Sequence, residues 1–440
     1  MQFITDYLLE EYILGSEWDD FPAQVQDRSL VCAVDLTMAL LLGSRGKQHE
    51  VGARLAEEIY KGGDVPIVGS GNRSSFLGAA VAMSHASNSF DIDDGHNMIR
   101  GHPGTSFVGG VLAAALDRGI TYREYLAALV VSYEVTIRWA LAMQKFYNFM
   151  HSTGTYGAFG TAAGVGRIFR LDRGVLNNAL SIADFHAPLT PVMRAVEYPS
   201  MNKDGVPFGT MVGAMAVLEA MAGYQGKTHL LEMPEYRYLL DSLGSEYEIM
   251  NLYFKPYTCC RWAHQPITAC LALMKQHDFP AERIEKVTVH TFDAASRLSK
   301  IVPGATDEAQ YNIAYPVAAA LVHGDVGYLQ IRDEALGDTR VLDMMRRLEF
   351  VVDPDVEKRF PKERLAWVEI ELSDGQVLRS DLFTAPGEAA DNVDLPWITE
   401  KFMRITSPLL SGKKQKEILK LLSDPGDIPV RFIVDEINKS

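Results

Sequence analysis

A chain of 440 residues, 47% hydrophobic and 22% charged, has ample material for a packed core, and its net charge of −15 excludes nucleic acid as a general partner. No apolar run approaches the roughly 18 residues of a bilayer span, so no membrane contact is expected, and Met1 to Asp6 lack the positive and apolar regions of a signal peptide. Four cysteines (Cys32, Cys259, Cys260, Cys270) make neither a disulfide framework nor an iron–sulfur ligand set, so a reduced, cytoplasmic setting is expected. Residues 1 to about 255 read as successive helices. Leu30 to Leu42 is apolar and ends at Gly43-Ser44. Phe76 to Met83 and Phe107 to Leu116 are helix-like and flank a polar loop. Tyr122 to Met143 has helical periodicity, with Glu134 and Arg138 four apart. Gly157 to Phe169 and Gly209 to Gly223 are rich in Gly and Ala, which suits close helix packing; a Gly-x-Gly-x-x-Gly phosphate loop is absent.

The pattern changes after about residue 280. Ile284 to Phe292 alternates like a half-buried strand. Tyr315 to His323 and Asp333 to Leu348 look helical. Ala366 to Leu372 alternates again, and Ser373-Asp374-Gly375-Gln376 gives hairpin chemistry before Val377 to Phe383. Pro386-Gly387 and Asp391 to Pro396 mark an exit, and helix returns at Trp397 to Leu410 and Lys413 to Leu422. The expected fold is mainly α. A large all-helical domain (1–257 and 395–440) receives a smaller inserted α+β lid domain (258–394), and ligand sites favour such junctions.

The densest chemistry lies in Asp91-Ile92-Asp93-Asp94-Gly95-His96 and Arg100-Gly101-His102-Pro103-Gly104-Thr105. A polar cluster on an irregular loop between apolar helices is costly to desolvate, and chains carry that cost where binding or chemistry occurs. A calcium loop would need Gly at its sixth position and Glu at its twelfth, where His96 and His102 stand. A mixed Asp/His site for zinc or manganese stays open, although no HExxH or HxH spacing supports it. His151-Ser152-Thr153-Gly154-Thr155 precedes a Gly/Ala helix, where its hydroxyls can serve as N-caps or the helix start can take a carboxylate. Lys203 sits in Met201-Asn202-Lys203-Asp204-Gly205, where a solvated lysine is the ordinary reading. Lys255 to His264 (Lys-Pro-Tyr-Thr-Cys-Cys-Arg-Trp-Ala-His) looks more like an anion clamp than a thiol nucleophile, and a hinge with Arg261 in an ion pair is the plainer alternative. Tyr311 and Tyr315 flank a helix start, where packing is the usual role.

In this order and at these separations the stretches resemble the MmgE/PrpD family. The acidic loop at Asp91 is followed by His102-Pro103-Gly104, then His151-Ser152-Thr153, a lysine loop at Lys203, the Lys255-to-Arg261 junction and Tyr315. The resemblance spans about residues 10 to 400. It implies a helical domain with an α+β lid, usually a homodimer, and no iron–sulfur cluster or organic cofactor; with no credible ligand set, no metal is expected either. It points to His102, His151, Asp91, Lys203 and Tyr315 as catalytic, and, with the cationic residues of the motifs, to Arg100, Lys255, Cys260 and Arg261 as substrate-binding. Two positions depart from the pattern: Gly95 stands where threonine often closes the acidic motif, and Cys260 where the decarboxylase type has a histidine. The run from Met98 to His102 is similar to the epimerase type. The expected activity is a cofactor-independent lyase that takes a proton next to a carboxylate of a small anionic polycarboxylate, foremost a 2-methylcitrate dehydratase-like hydro-lyase. The base should titrate near neutrality, which favours His102 or His151, with Tyr315 or the second imidazole as acid. Epimerisation of an iminodisuccinate-like acid and decarboxylation of a cis-aconitate type use the same equipment. Outside enzymes, the alternative is a carboxylate-binding protein.

Overall fold

A computed structural model of the chain describes residues 6–439. The principal helices of its first part are α1 (Ala23–Gly43), α2 (Phe76–Ser87), α3 (Pro103–Arg118), α4 (Tyr122–Phe146), α5 (Thr153–Ile168) and α6 (Val206–Met221). Local chemistry sets their ends. Thr121 and Glu124 form a reciprocal capping box at the start of α4, and Ser75 caps α2 by accepting from Gly78 N. Gly119 closes α3 in the left-handed conformation that suits glycine. Small residues let α5 pack against α3, α4 and α6. By length and composition, α4 is apolar enough to cross a membrane, contrary to the sequence expectation. Here 94% of its apolar stretch is buried inside the protein, and its middle holds the buried Glu134–Arg138 pair at 2.5 Å.

The second part contains α7 (His264–His277), β1 (Ile284–Thr291), α8 (Ala314–His323), β2 (Leu348–Val352), β3 (Trp367–Leu372) and β4 (Val377–Arg379). The four strands form one sheet in the order β2-β1-β3-β4. β1 runs parallel to β2 and antiparallel to β3, and the β3–β4 hairpin turns where expected. Two expectations need correction. Asp333 to Leu348 is not one helix. A 3-10 turn (Asp333–Ala335) gives way at Gly337-Asp338, Asp338 caps a short helix (Thr339–Met345), and Leu348 opens a strand. The strand from Val377 stops at Arg379, and beyond it only an isolated bridge joins Phe383 to Ala366.

The chain closes with α9 (Leu395–Thr406), α10 (Gly412–Leu422) and α11 (Val430–Asn438). α9 packs on α1, where Lys401 Nζ donates to Asp35 Oδ1 at 2.5 Å with both side chains buried. Tyr122 N donates to Ile428 O and Val430 N to Ile120 O, which stitches the approach to α11 onto the start of α4.

Candidate active site

The loop between α2 and α3 is held in an unusual shape. Asp91 and Arg100 both have φ near +52°, a region non-glycine residues seldom adopt and one that collects at functional sites. Gly95-His96 pairs antiparallel with Leu252-Tyr253, which fastens the loop to the chain just before Lys255. A Cβ on Gly95 would lie 2.2 Å from Tyr253 Cζ, so threonine does not fit here while Tyr253 fills that space. His102 precedes α3, with Pro103 as the first helical residue.

These constraints gather an ion cluster. Lys255 is fully buried, and its Nζ lies 2.9 Å from Asp91 Oδ1, 3.8 Å from Asp93 Oδ1 and 3.3 Å from His102 Nδ1. His102 Nδ1 is 2.9 Å from Asp94 O and 3.2 Å from Asp93 Oδ2, so that nitrogen carries a proton and donates. His102 Nε2 faces Asp91 Oδ1 at 3.9 Å and Asp204 Oδ2 at 3.8 Å. Burial and the Lys255 ammonium pull the imidazole down, but Asp93 and Asp91 outweigh them and hold it up at about 9. At neutral pH His102 is therefore an imidazolium and a proton donor. The Asp94 carboxyl is also pushed up, to about 7, by burial and by Asp35, against hydrogen bonds from Tyr133 and Gly104 N.

His102 opens into a cavity of about 70 Å³ lined by residues from both halves of the chain. One wall carries Asp91, Asp204 and Tyr311, whose hydroxyl donates to Asp204 Oδ2 at 3.0 Å. Burial raises the Asp204 pKa, and the Asp91 charge adds to this against His102 and Lys203. Arg100, Arg261 and Arg364 supply positive charge, and Met150, Val192 and Trp262 contribute apolar surface. Ligand cavities usually run to about 300–1,000 Å³, so this one is small for a ligand site.

Of the residues singled out from sequence, Asp91, Arg100, His102, Cys260 and Arg261 line this cavity. Others sit elsewhere. Lys255 is wholly buried behind Asp91 and cannot touch a ligand in this form; it acts through the cluster. Lys203 has no proton to spare for a substrate, because Nζ donates to Asn88 O at 2.5 Å, Ser89 O at 3.1 Å and Gln310 Oε1 at 2.5 Å. Tyr315 points away, its hydroxyl donating to Gln330 O at 3.0 Å and Ala335 O at 3.2 Å; Tyr311, four residues earlier, reaches the cavity instead. His151 is buried beside the Phe149 ring at 4.0 Å, and burial lowers its pKa against a contact with the Tyr147 backbone. It does not line the cavity. Burial pushes the Cys260 thiol up to about 12, so it is no nucleophile near neutrality. Sequence reasoning did not select Asp204, Tyr311 or Arg364 for the site. Asp204 adjoins Lys203 and Tyr311 was noted as packing, whereas Arg364, in Pro361-Lys362-Glu363-Arg364, reads as an ordinary solvated turn.

Asp91, His102 and Asp204 each present a ligand atom within 4.8 Å of the others and could hold a cation. The Lys255 ammonium 2.9 Å from Asp91 and the His102 imidazolium already supply that positive charge, so the set suits proton transfer better than a divalent ion.

Comparison with known proteins adds the family. The profile of the MmgE/PrpD N-terminal domain matches residues 8–248, and that of the MmgE/PrpD C-terminal domain matches residues 257–424. Two curated relatives, both cis-aconitate decarboxylases of Aspergillus terreus, are 22% identical over 445 and 441 residues, spanning 92% of this chain and 89% of each relative.

Proposed function

The chain belongs to the MmgE/PrpD family, and on that premise we propose that it is a hydro-lyase of a small polycarboxylate, of the 2-methylcitrate dehydratase type. The observation that carries this reading is the pairing of His102 Nε2 with Asp204 Oδ2 at 3.8 Å in one cavity. Dehydration needs a base and an acid on neighbouring carbons. Asp204, oriented by Tyr311, takes the proton next to the substrate carboxylate. The C–H electron pair forms the new double bond as hydroxide leaves with the His102 Nε2 proton, as water. Neutral His102 and protonated Asp204 then return to their starting states by exchange with solvent. The guanidiniums of Arg100 and Arg364 and the Arg261 Nε–H hold carboxylate charge in advance of the reaction. Asp93 and Asp91 keep His102 charged and oriented, and Lys255 pairs with Asp91. No step requires a cofactor.

The activity of the two Aspergillus relatives favours a second reading, decarboxylation of cis-aconitate. Decarboxylation requires a proton donor and no base, which leaves the Asp204–Tyr311 pair without a task. Cys260 also gives no titrating group where that type has histidine. The test is incubation with 2-methylcitrate, citrate, cis-aconitate and iminodisuccinate in deuterated water, with products read by NMR. The expected result is loss of water from the hydroxylated tricarboxylate. Carbon dioxide from cis-aconitate would replace this reading with the second, and inversion of iminodisuccinate would replace it with the epimerase. Tight binding without proton exchange would mark a carboxylate-binding protein.

A further inference from the structure

Three guanidiniums line the cavity, and they are not equally partnered. Arg261 pairs with Glu388 Oε1 at 2.7 Å and donates to the carbonyls of Pro386 and Ala385 at 2.9 and 3.2 Å. Arg364 has no carboxylate partner among the described residues. Its Nη1 donates to the neutral amide oxygen of Asn97, and Asn97 is turned that way because its Nδ2 donates to Glu388 Oε2 at 2.8 Å. The Nε of Arg364 is buried without a partner, and Nη2 has no protein acceptor among the described residues. The open Nε–Nη2 edge is the edge that takes a carboxylate through two parallel hydrogen bonds. Arg100, also lining the cavity, is exposed and has no side-chain acceptor among the described residues. Burial works against the Arg364 cation; Tyr253 and the Glu388 charge favour it, and Arg261 and Arg100 oppose it, yet no carboxylate reaches its Nε or Nη2 among the described residues.

We propose that the open edge of Arg364, with Arg100, is the subsite for a substrate carboxylate remote from the reacting carbons, and that Arg364 is the residue that distinguishes a tricarboxylate from a dicarboxylate. The inference rests on the polycarboxylate reading above and names the part of the site that would enforce it. Lysine does not substitute, because a point charge cannot make the paired hydrogen bonds.

The experiment is calorimetric titration with two unreactive acids of the same chain length, tricarballylate (three carboxylates) and glutarate (two). Neither has a hydroxyl to lose, so binding is read apart from turnover. The wild-type protein should prefer tricarballylate by roughly 10- to 100-fold, the worth of one charge-assisted contact. Arg364→Gln should abolish that preference and leave glutarate binding unchanged; Arg364→Lys, which keeps the stem and charge if the glutamine variant fails to fold, should retain only part of it. Equal binding of the two acids by wild type, or an undiminished preference in either folded variant, would overturn the subsite and leave the polycarboxylate reading standing. If wild type bound neither acid, both would fall.

Discussion

At His102 the decisive quantity is which charges lie closer. Two carboxylates, Asp93 and Asp91, outweigh both burial and Lys255, and the ring stays protonated up to about 9. Its proposed role is therefore donor, one of the two roles, base or acid, that the sequence left open for it. Replacing His102 by Asn keeps size and polarity and removes the proton; turnover should fall at least about 10²-fold. The pH profile follows from the same charges. A donor with a pKa of about 9 is competent below that pH and loses about a tenfold of rate per unit above it. Asp204 must be ionised to act as base, and burial raises its pKa, so the acid limb should lie above the ordinary carboxylate value of 3.8. Loss of rate as pH rises through 7, instead of 9, would remove His102 as donor. Asp91, Arg100, His102 and Arg261 were legible because their motifs crowd charges among Gly and Pro. Lys203 and Tyr315 do not line the cavity, for a shared reason: sequence shows a functional group and not where its protons go. Lys203 spends its protons on two carbonyls and Gln310, and Tyr315 on two carbonyls, while their neighbours Asp204 and Tyr311 face the cavity.

The glycines of α5 and α6 place these groups. A Cβ on Gly209 would lie 2.0 Å from Gly154 O, and one on Gly213 would lie 2.3 Å from Ala158 O. The two helices touch backbone to backbone, which is the packing role the Gly/Ala composition suggested. The contact also governs Asp204, whose carbonyl accepts from Gly154 N at 2.7 Å and from the Ser152 hydroxyl. Gly209→Ala should destabilise the protein by about 1–3 kcal/mol, the usual cost of overpacking, and should lower turnover by displacing Asp204. Gly174→Ala is the control: it is an exposed position in the first turn of the helix Arg173–His186, with nothing within 4 Å of a new Cβ, and should be neutral or stabilising by up to about 1 kcal/mol. Urea unfolding of both variants checks the opposite signs; equal costs would mean that the α5–α6 contact is not tight. Helices with one apolar face were legible at this scale. The strand β2 was not, because its five residues follow a short helix closely enough to look like its continuation, and only pairing with β1 reveals them.

Of the C-terminal helices, α9 and α10 could be read from sequence as helices and α11 was not, and where they go was not legible. Asp35 and Lys401 look like ordinary surface charges, yet they meet across 366 residues of sequence in the interior. Lys401 Nζ also donates to Ile92 O at 2.9 Å, next to Asp91. One ammonium thus joins α9, α1 and the loop of the candidate site. Lys401→Met leaves the Asp35 carboxylate buried and unpaired, and should cost about 3–5 kcal/mol in unfolding free energy. Replacing both partners, as Asp35→Leu with Lys401→Met, should recover most of that stability, because apolar pairs of similar volume often substitute well for a buried ion pair. Turnover should not recover in the double variant, because the carbonyl of Ile92 still lacks its donor and the Asp91 loop is free to shift. Recovery of both stability and turnover would show that the pair merely fills space; a single variant costing less than about 1 kcal/mol would show that it does not hold the C-terminal helices to the core.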